Sequence, residues 1–223
     1  YKAVNNIKSS LPEEIPLIGF CGSPWTLAAY SIEGRSSKDF EKTLGFLESN
    51  QKDVHDLLTK YTDACFLYLR KQVQSGADVI QIFDSWANLL TKEDLIEFSF
   101  NYINSLISAL KLDPITKNIP VIIFARNPKC NIEELINTSA DCISLFWSMN
   151  DLNFEVAKNK VAIQGNLDPK ILLESDETIK RETYKILERF KEYPGYIFNL
   201  GHGITPDISP DKIKYLTNIV REY

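Results

Sequence analysis

Short apolar runs separated by longer amphipathic stretches constrain the fold of this chain more than any other feature. Six such runs occur, and each is nearly continuous in hydrophobicity instead of alternating with polar residues. Continuous apolar strands are typical of a parallel sheet that is covered on both faces. Strand followed by helix, repeated along the chain, predicts an α/β fold. The six predicted strands lie within 15–22, 77–84, 119–126, 141–147, 160–168 and 195–200.

Helix-forming segments fill the intervals between these runs. The stretch 36–76 is long enough for two successive helices. Further helices are predicted to begin after cap residues at Thr91, which has an acidic residue three positions on, and at Ser175. The last helix is predicted to follow Ser209, because Pro210 stands at its first position.

Two parallel architectures fit this pattern. An open doubly wound sheet can hold six strands, but the turn "FCGSPWTLAAY" has one glycine where GxGxxG is expected, and the sequence has no P-loop. A (β/α)8 barrel needs about eight strands and typically about 250 residues. This chain starts at Tyr1, in what is predicted to be the tail of a helix. We therefore expect residues 1–223 to be a single TIM-barrel domain, incomplete, with about six of eight strand–helix units and without its N-terminal portion.

Charge and cysteine content narrow the possible functions. A net charge of −5 and a pI near 5.2 argue against nucleic-acid or membrane-surface partners. No apolar run approaches the roughly 18 residues of a membrane span. The cysteines form no CxxC or HxC pair, so neither a metal site nor a disulfide framework is predicted. Most fall in or beside apolar runs, which predicts buried thiols in a reducing cytoplasm: Cys21, Cys65, Cys130 and Cys142.

Unusual residues collect at the carboxyl ends of the predicted strands, where chemistry concentrates in parallel α/β folds. They include all three tryptophans and one of the two histidines. A cavity walled by aromatic groups, with a few convergent polar groups, is the usual form of a small-molecule site. The set comprises Ser23, Pro24, Trp25, Tyr30, Asp84, Ser85, Trp86, Arg126, Trp147, Asn166, Asp168 and His202.

Each candidate also has a structural interpretation. The tryptophans and Tyr30 are candidates for loop packing, Asp84 and Ser85 for capping, and Arg126 for a surface salt bridge. The remaining histidine, in the polar stretch "NQKDVHDLLTK", is predicted to be a solvated helix residue. His202 differs because glycines flank it on both sides, which favours a functional role. A hydrolase is not supported, because Ser85 lies in "FDSWA" and not in a G-x-S-x-G elbow.

Four segments together resemble the uroporphyrinogen decarboxylase family: "GFCGSPWTLAAYSIEG", "VIQIFDSWANLL", "AIQGNLDP" and "NLGHGITPD". They occur in the family's order and near its spacing, from about Gly19 to Asp207. The resemblance implies a cytoplasmic enzyme of haem biosynthesis, a carboxy-lyase on a TIM barrel that is a homodimer when complete. Its reaction converts uroporphyrinogen III to coproporphyrinogen III by decarboxylating four acetate side chains, without a metal or other cofactor.

The resemblance also implies roles for particular residues. Tyr30, Ser85 and His202 correspond to residues that bind the tetrapyrrole, and His202 would be the catalytic residue within this chain. The bare glycines beside His202 would let a wide substrate come close. The family's arginine-rich R-Q-A-G-R motif and its strand-end aspartate are absent from this sequence. We therefore expect this chain by itself to be inactive.

Three alternatives stay open. A zinc- and corrinoid-dependent methyltransferase shares the barrel, but its HxC ligand pattern is absent here. A non-catalytic remnant that binds a tetrapyrrole fits the loss of the arginine and aspartate motifs. An open-sheet nucleotide binder has no phosphate-binding motif in its favour.

Overall fold

A wholly parallel sheet of six strands organises the chain in the computed structural model, which describes residues 1–35, 37, 39–150 and 152–223. Neighbouring strands in the sheet are also consecutive in sequence, as in a β/α barrel and unlike the doubly wound order. The architecture is that of an incomplete (β/α)8 barrel, as predicted. The strands are β1 (Ile18–Gly22), β2 (Val79–Asp84), β3 (Val121–Ala125), β4 (Cys142–Ser144), β5 (Ala162–Gln164) and β6 (Tyr196–Ile197).

Helices occupy every interval in which they were predicted. Two of them, α3 and α4, lie within 36–76, although Ser36 and Lys38 are outside the described residues. The α-helices are α1 (Lys2–Ser10), α2 (Pro24–Glu33), α3 (Glu41–Ser49), α4 (Gln51–Gln74), α5 (Lys92–Asp94), α6 (Asn101–Leu112), α7 (Ile132–Ile136), α8 (Asp176–Phe190) and α9 (Pro210–Glu222). A π-helical segment, Leu95–Phe100, joins α5 to α6.

Predicted cap residues begin three of these helical segments. The Thr91 hydroxyl accepts the Asp94 N–H at 3.1 Å and donates to the Asp94 carboxylate at 2.7 Å. Ser175 accepts the Thr178 N–H at 3.3 Å. Ser209 accepts from Asp211 at 3.2 Å, directly before the proline that opens α9. Such caps satisfy N–H groups that the helix itself leaves without a partner.

The core lies between the outer face of the sheet and its helices. Side chains from β2, α4 and α6 are fully buried there, including Ile82, Leu69 and Leu106. Three thiols are buried as predicted, whereas Cys130 is half-buried; none forms a disulfide. Burial raises the pKa of Cys142 to about 12, so this thiol stays protonated at neutral pH. No helix within the described ranges is long and apolar enough to cross a membrane.

Aspartates fasten the amino ends of neighbouring strands. Asp78, just before β2, accepts the Leu17 N–H at the start of β1 and the Lys8 ammonium, each at 2.7 Å. Asp141, just before β4, accepts the Val121 N–H of β3 at 2.7 Å. These contacts stabilise the barrel face opposite the one where chemistry is expected.

His55 lies in a helix as predicted, but it is only partly solvated. Its imidazole stacks on the Phe98 ring at a centroid distance of 4.8 Å. Its Nδ1 atom lies 2.7 Å from the Tyr102 hydroxyl, and Nε2 lies 3.2 Å from Glu97. His55 therefore packs α4 against the 92–112 segment instead of standing free in solvent.

Candidate functional site

Alternate residues of each strand face the inside of the curved sheet. On β1, Gly19 and Cys21 face outward, toward Gln72 and Cys65 of α4. Phe20 therefore faces inward, and the pairing register carries this assignment from strand to strand. The inward-facing set is Ile18, Phe20, Gly22, Val79, Gln81, Phe83, Ile122, Phe124, Cys142, Ser144, Ala162, Gln164 and Ile197.

A cavity of about 400 Å³ opens at the carboxyl ends of the strands. It brings Ser85, which follows β2, together with His202, which follows β6, although 117 positions separate them in the sequence numbering. Both were predicted to belong to one site, and the fold places both in the wall of one cavity. The lining residues are Gln81, Phe83, Ser85, Phe124, Ser144, Asn199, Leu200, His202, Gly203 and Ile204.

Phenylalanines form a continuous aromatic floor beneath this cavity. The ring centroids of Phe20 and Phe83 are 5.9 Å apart, and those of Phe83 and Phe124 are also 5.9 Å apart. Phe124 continues to Phe146 at 6.5 Å. Phe20 is 60% exposed, so this apolar surface is open at the β1 side. Neighbouring rings are tilted by 49–90° to one another, so the four rings form an uneven apolar surface suited to a wide ligand.

His202 stands at the edge of this floor. Its ring meets Phe124 and Phe146 edge-on, with centroid distances of 6.3 and 6.0 Å. Nδ1 lies 3.3 Å from the Gly203 carbonyl oxygen, which favours a proton on that nitrogen. The side chain is exposed to solvent, so its Nε2 atom is accessible to a ligand in the cavity.

The glycines beside His202 have two different structural reasons. A Cβ on Gly201 would lie 2.4 Å from the Trp147 backbone nitrogen, so the protein itself occupies the space that its bare backbone leaves. The expectation that this glycine admits a substrate was therefore wrong. Gly203 has no heavy atom within 4 Å of its Cβ position, and it lines the cavity. Of the two, only Gly203 leaves room beside the imidazole.

Tyr30 lies outside the cavity wall. It is 40% exposed and packs edge-on against Trp86, with ring centroids 5.8 Å apart. Trp86 in turn lies against Phe40 at 4.4 Å. Because Trp86 directly follows Ser85, these three aromatic residues form a rim next to the cavity. The role of Tyr30 in ligand binding stays a prediction.

Buried hydrogen bonds hold Ser85 in position. Its N–H donates to Thr26 Oγ1 at 2.9 Å, and the Thr26 hydroxyl donates to Asp84 at 3.2 Å. Asp84 also accepts from the Ser23 hydroxyl at 2.9 Å and from the Ser99 hydroxyl at 2.5 Å. Asp84 is thus the centre of a hydroxyl cluster on the outer face of the sheet, and not the loop cap that its sequence position suggested.

Burial is the main influence on the pKa of Asp84. The side chain is 1% exposed, and desolvation raises the pKa of its carboxyl group although its three hydroxyl donors act in the opposite direction. One of those donors, Ser99, belongs to the π-helical segment, a kind of irregularity that often occurs near functional sites.

Of the two interpretations of the tryptophans, the structure supports packing, because none of the three lines the cavity. Trp25 is fully buried and donates its indole N–H to the Trp86 carbonyl oxygen at 3.1 Å. Trp147 lines a separate cleft against α8. Phenylalanines form the wall instead, because their strand positions face inward. In the sequence, only the alternation of residues along a strand distinguishes inward-facing phenylalanines from the others. Continuous apolar runs hide that alternation.

The other polar candidates have structural partners. Asn166 is buried and donates to the Phe146 carbonyl oxygen at 3.1 Å. Asp168 caps a short 3₁₀ helix by accepting the Lys170 N–H at 3.0 Å. Arg126 forms no salt bridge within the described ranges; its guanidinium lies 5.5 Å from the centre of the Trp86 ring. Across those same residues, no three His, Cys, Asp or Glu side chains converge as potential metal ligands.

Fold and site together define a β/α-barrel protein with a cavity at the carboxyl ends of its strands. The family model for uroporphyrinogen decarboxylase (URO-D) matches residues 1–223. The chain belongs to this family.

Curated relatives agree with the family match. A uroporphyrinogen decarboxylase from Ruthia magnifica subsp. Calyptogena magnifica is 42% identical over 223 residues, which cover 99% of this chain and 64% of the relative. One from Alcanivorax borkumensis is 40% identical over 222 residues, covering 99% and 63%. This chain therefore spans less than two thirds of the length of these relatives.

Solved structures agree with the fold. A methyltransferase from Methanosarcina mazei has a TM-score of 0.77 at 20% identity, covering 99% of this chain and 63% of its own. A B12-independent methionine synthase from Shewanella sp. W3-18-1 has a TM-score of 0.64 at 15% identity, covering 99% and 66%. At these identities the likeness shows the fold alone.

Proposed function

We propose that this chain forms part of the barrel domain of a uroporphyrinogen decarboxylase, a carboxy-lyase that removes carbon dioxide from the four acetate side chains of uroporphyrinogen III to give coproporphyrinogen III. The observation that carries the proposal is the meeting of Ser85 and His202 above one aromatic floor. The family match over residues 1–223 supplies the substrate class.

The chemistry fits such a site because the substrate can hold the electrons of the reaction itself. Protonation of a pyrrole ring carbon makes that ring an electron acceptor. When the bond between the acetate methylene and its carboxylate breaks, the electron pair passes into the ring and carbon dioxide leaves. A proton added to the methylene then gives a methyl group, and loss of the ring proton restores the pyrrole. The protein has to position the substrate, complement its charge and move protons.

Each part of the site has a role in this scheme. The phenylalanine floor contacts the face of the macrocycle, with Phe83 and Phe124 at its centre. Ser85 and Tyr30 bind polar groups at the substrate's edge, and His202 binds there and exchanges protons through its exposed imidazole. The open β1 side of the floor allows the remainder of a wide substrate to extend past the cavity.

His202 gives the direct test of the proposed reaction. In a decarboxylase of the relatives' length that contains this sequence, we expect His202→Asn to lower kcat/KM for uroporphyrinogen at least about tenfold under anaerobic conditions. The matched control is His55→Asn, which changes the other histidine, packed between helices away from the cavity. Equal activity of the His202 variant and the unaltered enzyme would contradict the role of His202.

The chain alone provides a second test. We expect the 223-residue chain to bind a carboxylated porphyrin but to decarboxylate uroporphyrinogen far more slowly than about 1 per second.

We also propose a cytoplasmic location, supported by the free thiols, and a homodimer for the complete protein, supported by the family resemblance. Sedimentation of the complete protein measures the latter, and a monomer at micromolar concentration would contradict it.

A further inference from the structure

Arg126 directly follows β3 and stands two residues after Phe124 of the cavity wall. Its N–H donates to the Asp84 carbonyl oxygen at 3.0 Å, so the pairing of β2 with β3 continues to this residue. Residues two apart on a strand face the same side and are about 7 Å apart. Because Phe124 lines the cavity, the Arg126 side chain leaves the backbone on the same side, one step nearer to solvent.

An aromatic platform holds the guanidinium. It lies 5.5 Å from the centre of the Trp86 ring, and Trp86 is itself fixed by contacts with Phe40 and Tyr30. Stacking on a ring orients a guanidinium but uses none of its N–H donors. Arg126 is half-buried, so the platform also limits its motion.

Arg126 differs from arginines that have acidic partners. Arg70 pairs with Asp113 at 2.9 Å, and Arg181 pairs with Glu182 at 2.9 Å. In residues 1–35, 37, 39–150 and 152–223, no carboxylate lies within 4.0 Å of the Arg126 guanidinium. In a chain with a net charge of −5, a positioned cation without an acidic partner at a cavity mouth is suited to an anionic ligand.

We propose that Arg126, stacked on Trp86, binds a carboxylate of the ligand at the mouth of the cavity. The inference rests on the proposed function, in which that carboxylate belongs to an acetate or propionate side chain of the tetrapyrrole. A guanidinium presents parallel N–H donors that match the two oxygens of a carboxylate. Ser85 precedes Trp86, so the anchored side chain lies next to the predicted polar contact.

Porphyrin binding to the 223-residue chain tests this inference. The ligands are uroporphyrin, an octacarboxylate, and coproporphyrin, a tetracarboxylate, titrated at fixed ionic strength and followed by porphyrin fluorescence. We expect Arg126→Gln to weaken uroporphyrin binding about tenfold to a hundredfold, as loss of a charge-assisted hydrogen-bonded pair does. Arg126→Lys keeps the charge but not the paired donors, and we expect an intermediate loss.

The matched control is Lys129→Gln, which removes one exposed positive charge three positions further along the same loop. We expect it to change the affinity by less than about twofold, because screening weakens distant exposed charges. Equal losses in the two Gln variants would overturn the inference in favour of general attraction between charges. Unchanged binding by Arg126→Gln would overturn it while leaving the proposed function intact. Failure of the unaltered chain to bind either porphyrin would overturn the inference and the binding expected of this chain alone, whereas the His202 variant in the longer enzyme decides the proposed reaction.

Urea unfolding of each variant separates binding from folding. The Arg126 guanidinium accounts for one contact with Trp86, so we expect the unfolding midpoints to remain close to that of the unaltered chain.

A second binding readout uses coproporphyrin. Since this ligand retains propionates but lacks acetates, a loss with uroporphyrin alone assigns the anchored group to an acetate, and equal losses assign it to a propionate.

Discussion

The Ser85 N–H donates to the hydroxyl of Thr26 at a distance of 2.9 Å. Thr26 belongs to the first turn of α2, and Ser85 follows β2, so this bond links two neighbouring strand–helix units. The same hydroxyl donates to buried Asp84 at 3.2 Å. The Thr26 hydroxyl thus binds both the Ser85 N–H and the Asp84 carboxylate. The position of Ser85 in the cavity wall therefore depends on the Thr26 side chain, which does not itself line the cavity.

Thr26→Val is expected to destabilise the chain by about 1–3 kcal/mol. Valine has nearly the shape of threonine but no hydroxyl, so the Ser85 N–H loses its acceptor and Asp84 loses one donor. Urea unfolding followed by tryptophan fluorescence measures the change. Thr26→Ser is the control because it retains the hydroxyl, and equal stability of the two variants would show that the bond contributes little.

Asp84 gives a prediction about pH. Desolvation raises the pKa of its carboxyl group in the folded chain above the ordinary value of 3.8. As the pH rises above 3.8, the unfolded chain loses this proton first while the folded chain keeps it, so stability falls through this window. Asp84→Asn removes that titration.

Urea unfolding between pH 3.5 and 7 compares the two proteins. We expect the unfolding free energy of the unaltered chain, relative to that of Asp84→Asn, to be highest in acid and to decrease as the pH rises. A relative stability that increases with pH would mean that the three hydroxyls outweigh burial and hold the carboxylate ionised.

Much of the architecture could be predicted from the sequence, because six apolar runs without alternation allow few folds. His202 and Ser85 could also be assigned to one site, since the carboxyl ends of parallel strands share an edge of the sheet. The residues of the cavity floor could not be predicted. In a continuous apolar run, Phe83 is indistinguishable from its neighbours until the pairing register shows which residues face inward.

Contacts across the fold account for the other errors. Trp86 follows β2 and Tyr30 lies in α2, which follows β1, yet their rings pack together at the rim and not in the cavity wall. The π-helical segment that brings Ser99 to Asp84 has no signal in helix periodicity. The reason for Gly201 lies in the Trp147 backbone, 54 positions away in the numbering, which no local pattern shows.

Gly201→Ala and Gly203→Ala form a matched pair on either side of His202. The alanine Cβ at position 201 would meet backbone atoms of Trp147 at 2.4 Å, and backbone cannot move aside as a flexible side chain can. We expect a loss of about 1–3 kcal/mol or more in unfolding free energy. At position 203 the new methyl group meets nothing within 4 Å, so stability should stay within about 0.5 kcal/mol.

The same pair separates packing from ligand access in porphyrin titrations. Since Gly203 lines the cavity, its alanine variant is expected to weaken binding without weakening the fold. If Gly203→Ala bound porphyrin normally, the space beside the imidazole would have no part in binding.

Asp78 predicts a pH dependence opposite to that of Asp84. Its hydrogen bond from the Leu17 N–H and then its contact with Lys8 lower the pKa of the carboxyl group below 3.8. The stability that Asp78 contributes is therefore complete above that pH and is lost as the pH falls through the folded-state value. Because the side chain is 37% exposed, solvent screens part of the ion pair, and we expect Asp78→Ala to destabilise the chain by only about 1–2 kcal/mol at pH 7.

The control for Asp78 is Asp56→Ala, which breaks an exposed ion pair with Lys52 on the surface of α4. Because both side chains are exposed, that pair should contribute little to stability. Urea unfolding at pH 7 and at pH 3 measures both variants. The expected difference between Asp78→Ala and the unaltered chain shrinks at the lower pH, because below 3.8 the unfolded chain binds a proton that the folded carboxylate, with its lowered pKa, resists. A difference that stays constant with pH would show that the carboxylate acts only as a neutral hydrogen-bond acceptor for β1.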